Sequence, residues 1–294
     1  MAHRTWLGAL AGAALGAVAA RVAYSAFTRR PPIGEEKTWT RTNHRGEPIT
    51  LLEGPAFVAG AGAAAALAPG LPARARAAAV LATVGSGALG AYDDLWGATT
   101  SKGFKGHLTA LARGEVTSGA VKILGIGAAG LAAAALLPRH PAAARRGAFS
   151  STVGTLADGA LIAGSANLAN LFDLRPGRAI KVGLLTGGPL LAASLARGTT
   201  AGTGAALAAV PLGAGLALLP EDLGERAMLG DAGANALGAL LGVAAVAGLP
   251  PRSRLVLLGA VAALTAASEK VSFTKVIAAN PVLNRLDMLG RRPA

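Results

Sequence analysis

The chain of 294 residues is 52% hydrophobic and only 15% charged, whereas an ordinary soluble domain is about a quarter charged. Windows of roughly 20 residues with almost no charge, the length a bilayer-spanning helix needs, exclude a soluble globular protein. The lack of cysteine excludes disulfides and catalytic thiols, and a net charge of +13 spread over short loops argues for lipid headgroups and anionic substrates as partners and against nucleic acid.

Taken in chain order, nine apolar windows are expected to be transmembrane helices: 6–27, 52–70, 75–96, 119–138, 149–172, 179–196, 200–219, 232–250 and 253–272. The first follows Arg4 and has the look of a secretory leader, but it is long enough to span and reads as the first helix. Breaks fall at Arg29-Arg30-Pro31-Pro32, Pro138-Arg139-His140-Pro141 and Leu249-Pro250-Pro251-Arg252. Gly187-Gly188-Pro189 is expected to kink the sixth window. Small residues such as those of Gly85-Ser86-Gly87-Ala88-Leu89-Gly90 let helix backbones approach closely; a compositional bias of the genome accounts for them equally well. The fold class is therefore an all-α polytopic membrane protein of about nine helices, a single integral domain over 1–294, with 274–294 a basic cytoplasmic tail.

Basic residues set the orientation. With the N-terminus outside, the inner segments hold eighteen Lys and Arg, Lys122 among them, and the outer segments nine. That bias predicts an outside N-terminus and a cytoplasmic C-terminus. It also brings three polar clusters to one face: Asp93-Asp94, Asn167-x-x-Asn170-x-x-Asp173, and Gly230-Asp231-x-Gly233.

Carboxylates at a membrane face usually hold an ion or a substrate. Magnesium takes one or two protein carboxylates plus phosphates and water, so Asp93, Asp94, Asp173 and Asp231 are candidate ligands. Asp231 opens a helix, whose free N–H groups suit a phosphate. Asn167 and Asn170 are three residues apart, as are Asn170 and Asp173, so each pair is expected to share a helix face. Lys102 and Lys105 follow the acidic pair, and Arg175 and Arg178 follow Asp173, as cations that would clamp anionic phosphates. Phosphoryl transfer needs this mix, because its catalysis is mostly positioning and electrostatics. Asp158, inside the fifth window, is expected either to pair with a cation or to stay protonated. Glu221, Asp222 and Glu225 read as an acidic loop.

These three motifs, in this order, resemble the polyprenyl-phosphate N-acetylhexosamine-1-phosphate transferases, which include the phospho-N-acetylmuramoyl-pentapeptide and N-acetylglucosamine-1-phosphate transferases. The resemblance runs from about residue 28 to 250 and rests on Asp93-Asp94, Asn167-x-x-Asn170-x-x-Asp173 and Gly230-Asp231-x-Gly233-x-x-x-Leu237-Gly238. It implies Mg2+-dependent transfer of a sugar 1-phosphate from a UDP-sugar to polyprenyl (undecaprenyl) phosphate at the cytoplasmic face of the plasma membrane, releasing UMP for cell-wall polymers such as peptidoglycan. By the same resemblance, Asp231 with Asp94 would hold Mg2+, Asp93 or Asp94 would orient the lipid phosphate, and Asn170 and Asp173 would shape the nucleotide pocket. Two features depart from the family. Leu174-Arg175-Pro176-Gly177 stands where a second acid is common, and Ser268-Glu269-Lys270-Val271-Ser272-Phe273 stands where a His-rich loop is usual. A catalytically inactive scaffold or lipid-phosphate-binding relative, and a transporter with acids at the bilayer midplane, are the competing expectations. A second copy of the chain stays open as a partner.

Overall fold

The computed structural model describes residues 2–97, 106, 109–110, 112–138 and 148–292. Helices are numbered here in chain order. They are α1 (Ala2–Arg29), α2 (Glu36–Trp39), α3 (Glu53–Leu67), α4 (Ala73–Trp96), α5 (Ser118–Leu136), α6 (Ala148–Phe172), α7 (Arg178–Ala196), α8 (Gly202–Leu223), α9 (Gly230–Gly248), α10 (Pro251–Ser268), α11 (Phe273–Ala279) and α12 (Pro281–Met288). The apolar windows are Ala- and Leu-rich and therefore good helix formers. Their ends follow ordinary signals. Thr117 caps α5 by accepting the Ala120 amide, Asn280 caps α12, and Pro251 opens α10.

Among the described residues, five helices are long and apolar enough to cross a membrane: Thr5–Arg29, Ser118–Leu136, Arg178–Ala196, Gly202–Leu223 and Gly230–Gly248. A sixth is possible only by joining α10 to α11, which meet at 95°. This is a polytopic helical membrane protein, but the expected count of nine is not met. With 15 residues, α3 would reach about 22 Å, short of a hydrocarbon core of about 30 Å. Helices α4 and α6 are long enough, at 24 and 25 residues, but too polar; α4 carries Arg74 and Arg76 at one end and Asp93 and Asp94 at the other. Pro189, where a kink is expected, lies inside α7.

Helix α9 is the centre of the bundle. It packs on α3, α4, α6, α7 and α8, and 89% of its apolar window is buried. Close approach depends on missing side chains: a Cβ on Gly238 would strike the Ser165 carbonyl of α6, and one on Gly90 of α4 would strike the Asp231 carbonyl. Small residues are thus a packing requirement at these crossings. At the periphery α10 buries none of its residues, leaving Leu255 and Val256 exposed, a surface suited to lipid.

One element was not foreseen. Strands β1 (Thr40–Thr42) and β2 (Pro48–Thr50) form an antiparallel hairpin with Thr40 opposite Thr50. Three residues per strand are too few to show an alternating pattern. Thr50 exchanges backbone hydrogen bonds with Arg226 and Met228, so the hairpin braces the turn that leads into α9. Beneath it Trp39, Leu51 and Leu52 make a small separate core.

The glycine contacts make a testable distinction. Gly238→Ala is expected to lower stability by about 1–3 kcal/mol through overpacking. Gly127→Ala, with open space around its Cβ position, should be neutral or stabilising by up to about 1 kcal/mol. Thermal unfolding in detergent would compare the two.

Candidate active site

The end of α4, the starts of α5, α7 and α9, and the ends of α6 and α8 meet at one end of the bundle. A helix start leaves amides without intrahelical partners and carries a partial positive charge, and at α9 carboxylates fill those places. Asp94 accepts from the Asp231 amide at 3.0 Å through Oδ1 and from the Ala232 amide at 2.9 Å through Oδ2. The Gly230 N–H donates to Asp173. Gly230 has φ +59, a left-handed conformation that glycine tolerates and that turns the chain into the helix. The α9 start therefore already holds protein carboxylates where the sequence suggested a phosphate.

Asp93, one residue earlier on α4, points elsewhere. Its Oδ2 accepts from Lys122 Nζ of α5 at 2.6 Å, and the same ammonium binds Asp231 Oδ2. The carboxyl groups of Asp93 and Asp231 are thus brought together by one ammonium. All three charged side chains keep some exposure, at 15–28%, so the cluster opens at the bundle surface. The C-terminal end of α4 is further held by Arg41 of β1, whose guanidinium donates to the Asp94 carbonyl.

Deeper, three buried acids lack full complements of partners. Both oxygens of Glu53, one of Asp173 and one of Asp222 are enclosed without a hydrogen bond. Asp222 does accept from the Gly177 amide at 2.8 Å. Burial, then the charges of Asp222, Asp231 and Asp94, push the Asp173 carboxyl well above the usual carboxylate range, against the single Gly230 hydrogen bond. Uncompensated buried carboxylates are costly and concentrate at functional sites.

The structure thus brings Asp93, Asp94, Asp173 and Asp231 to one end. Asn167 and Asn170 lie half-buried on α6 leading to Asp173, and their side chains make no hydrogen bond among the described residues. Arg175 is half-buried and donates only to its neighbour's carbonyl, that of Leu174. Arg178 is buried and committed elsewhere: it pairs with Asp287 of α12 at 2.8 and 3.0 Å and with Thr274 at 2.8 Å. Lys102 and Lys105 lie outside the described residues. Asp158 is not at this end; it pairs with Arg254 of α10 at 2.5 Å, the cation-paired state of the two expected.

Lys122 counted, on sequence, only toward orientation, although a lysine one turn inside an apolar helix is a signal that it has an acidic partner. Glu53 had the same kind of signal, opening an apolar stretch. Glu221 and Asp222 are not a loop but the last turn of α8, with Glu221 paired to Arg21 at 2.8 Å and Arg226 at 2.6 Å. The C-terminal tail folds back as α11 and α12. Phe273 stacks on Phe172 at 4.9 Å, Arg291 meets Asp287 and the Pro176 carbonyl, and Arg292 pairs with Glu47 of the hairpin at 2.7 Å. Burial would raise the Asp287 carboxyl, but Arg178, then Arg291 and Lys181, more than offset it and hold it below the usual range.

Among the described residues no three His, Asp or Glu side chains lie together as a metal-holding group. Magnesium needs fewer than three, since one or two protein carboxylates suffice when phosphates and water complete the octahedron. Asp93 and Asp231 meet that requirement: oxygen donors on separate helices converge on one cation, at present the Lys122 ammonium. Asp94 does not join them, because both its oxygens are used on α9. No protein-family model matches the chain, and no curated protein does.

Two substitutions probe this division. Asp94→Ala removes both α9 amide partners and is expected to lower stability by about 2 kcal/mol; Asp93→Ala, which bonds side chains only, should cost less. Asp173→Asn should raise stability at pH 7, because a side chain that cannot ionise avoids the cost of a buried carboxylate and keeps an acceptor. The sign follows from its raised folded value: wild-type stability is lost as pH rises from about 4 through that value. Unfolding in detergent between pH 4 and 8 should show that decline flattened in Asp173→Asn.

Proposed function

We propose that this protein is a Mg2+-dependent phosphotransferase that moves a sugar 1-phosphate from a UDP-N-acetylhexosamine-type donor to polyprenyl phosphate, releasing UMP. The observation that carries the reading is the meeting of Asp93 and Asp231 on one cation beside the carboxylate-capped start of α9. These residues come from stretches more than a hundred positions apart, and the same three motifs carry the resemblance to the polyprenyl-phosphate sugar-1-phosphate transferases. In this reading, as the resemblance implies, this end faces the cytoplasm at the plasma membrane.

In this reading Asp93 and Asp231 would hold Mg2+, which supplies charge neutralisation on the donor diphosphate. Asp94 holds the α9 start, and with it Asp231, in place; its role is positioning. Asn167 and Asn170, unbonded on the face that leads to Asp173, are free to donate to and accept from the nucleotide. The lipid phosphate is already an anion at neutral pH and needs little base assistance. An oxygen of that phosphate attacks the donor phosphorus attached to the sugar, the bond from that phosphorus to the UMP oxygen breaks, and UMP leaves with the electron pair. Catalysis of this kind rests on positioning and electrostatics.

A non-catalytic relative that binds polyprenyl phosphate or nucleotide is the second reading. It is favoured by Lys122, which already neutralises the carboxylate pair, and it predicts binding without turnover.

Detergent-solubilised protein given undecaprenyl phosphate, Mg2+ and a panel of UDP-sugars is expected to release UMP, and Asp231→Ala to lower the rate by about a hundredfold or more. Tight lipid-phosphate binding with no UMP from any donor would favour the second reading. UMP release undiminished in Asp231→Ala would remove Asp231 from the reaction.

A further inference from the structure

We infer that Lys122 is a built-in cation for the Asp93–Asp231 pair, and that a divalent metal ion enters by displacing it. The inference rests on the metal reading above and adds a regulatory step to it. Two carboxylates held on the same Lys122 ammonium repel unless a cation or a proton lies between them. In this fold the Lys122 ammonium supplies that cation, bonding Asp93 Oδ2 and Asp231 Oδ2 at once. A metal ion held by the same two carboxylates would meet the ammonium's charge at close range, so the ammonium and the metal are alternative occupants.

The placement of Lys122 allows exchange. It stands on the first turns of α5 (Ser118–Leu136), at the open end of the bundle, with 15% of its side chain exposed. Its four-carbon stem is flexible and its charge compact. Among the described residues, the ammonium bonds these two carboxylates. Once displaced, it remains a positive charge beside a site built for phosphates, where an anionic substrate would receive it. The lock therefore has two consequences. It keeps a repulsive acid pair folded when metal is scarce, and it couples release of the lysine to arrival of metal and phosphate together. If the ammonium occupies the pair about nine-tenths of the time, apparent metal affinity is reduced about tenfold, because only the unoccupied fraction competes.

Mn2+ binding, followed by electron paramagnetic resonance on detergent-solubilised protein, tests the exchange. Lys122→Met is expected to bind Mn2+ about tenfold more tightly than wild type, and Asp231→Asn to abolish binding in both backgrounds. In metal-free buffer Lys122→Met should unfold at a lower temperature than wild type and recover on adding Mg2+. Equal affinity in wild type and Lys122→Met, both lost with Asp231→Asn, would leave the metal site standing and overturn the exchange. Absence of Mn2+ binding in every variant would remove the metal reading and the exchange with it.

A wild-type measurement covers the case in which Lys122→Met does not fold. Amine acetylation read by mass spectrometry should find Lys122 protected without metal and several-fold more reactive in saturating Mg2+, while the exposed Lys37 stays constant. Lys122 reactivity unchanged while Mn2+ binds would overturn the exchange.

Discussion

The start of α9 is where the fold and the candidate chemistry are joined. Its first three amides have no partner within the helix, and they face the carboxyl groups of Asp173 and Asp94. Asp94 is 137 residues from Asp231 in sequence, so these hydrogen bonds tie α4, α6 and α9 together at one end. Charge-assisted bonds to a helix N-terminus are among the stronger ones available to a carboxylate. They also explain the glycine at position 90: its missing Cβ lets α4 lie against the Asp231 carbonyl, close enough for the next turn of α4 to reach the α9 amides.

That anchoring divides two adjacent acids between two tasks. Successive residues of a helix point about 100° apart, so Asp94 meets α9 while Asp93 meets Lys122 on α5. Asp231 is held through its backbone by Asp94 and offers its side chain to the same lysine. A structural capping site and an exchangeable cation site thus share one turn of α4 and one turn of α9. Around them Glu53, Asp173 and Asp222 keep buried oxygens without hydrogen bonds, a cost that a purely structural end of a bundle would not need to carry. The C-terminal helices complete this end. Asp287 secures Arg178 at the start of α7, and Arg292 reaches the hairpin that braces the α9 turn, so the tail is part of the wall around the acids.

Much of this was legible in the chain before folding, for identifiable reasons. A bilayer tolerates few charges, so Asp93, Asp94, Asp173 and Asp231 stood out against apolar surroundings and marked helix ends. The spacing of Asn167 and Asn170 put them on one side of the helix that leads to Asp173. Other features had no local signature. The three-residue strands were too short to alternate, and the break that limits α3 to 15 residues carried little hydropathy signal. Arg178 read as a phosphate clamp because its partner Asp287 lies 109 residues away. Asp94 read as a metal ligand because nothing near it in sequence reveals that the α9 amides would take both its oxygens.

The sequence by itself determined that this is a helical membrane protein with several of its acids at the ends of apolar stretches, since those properties follow from the cost of exposing charge and backbone to hydrocarbon. Which acid caps a helix, which one shares a cation, and which lysine supplies that cation were decided only by tertiary structure. Hydrogen-bond partners depend on distances between segments remote in sequence, and the packing of α4, α5 and α6 around α9 is what sets those distances.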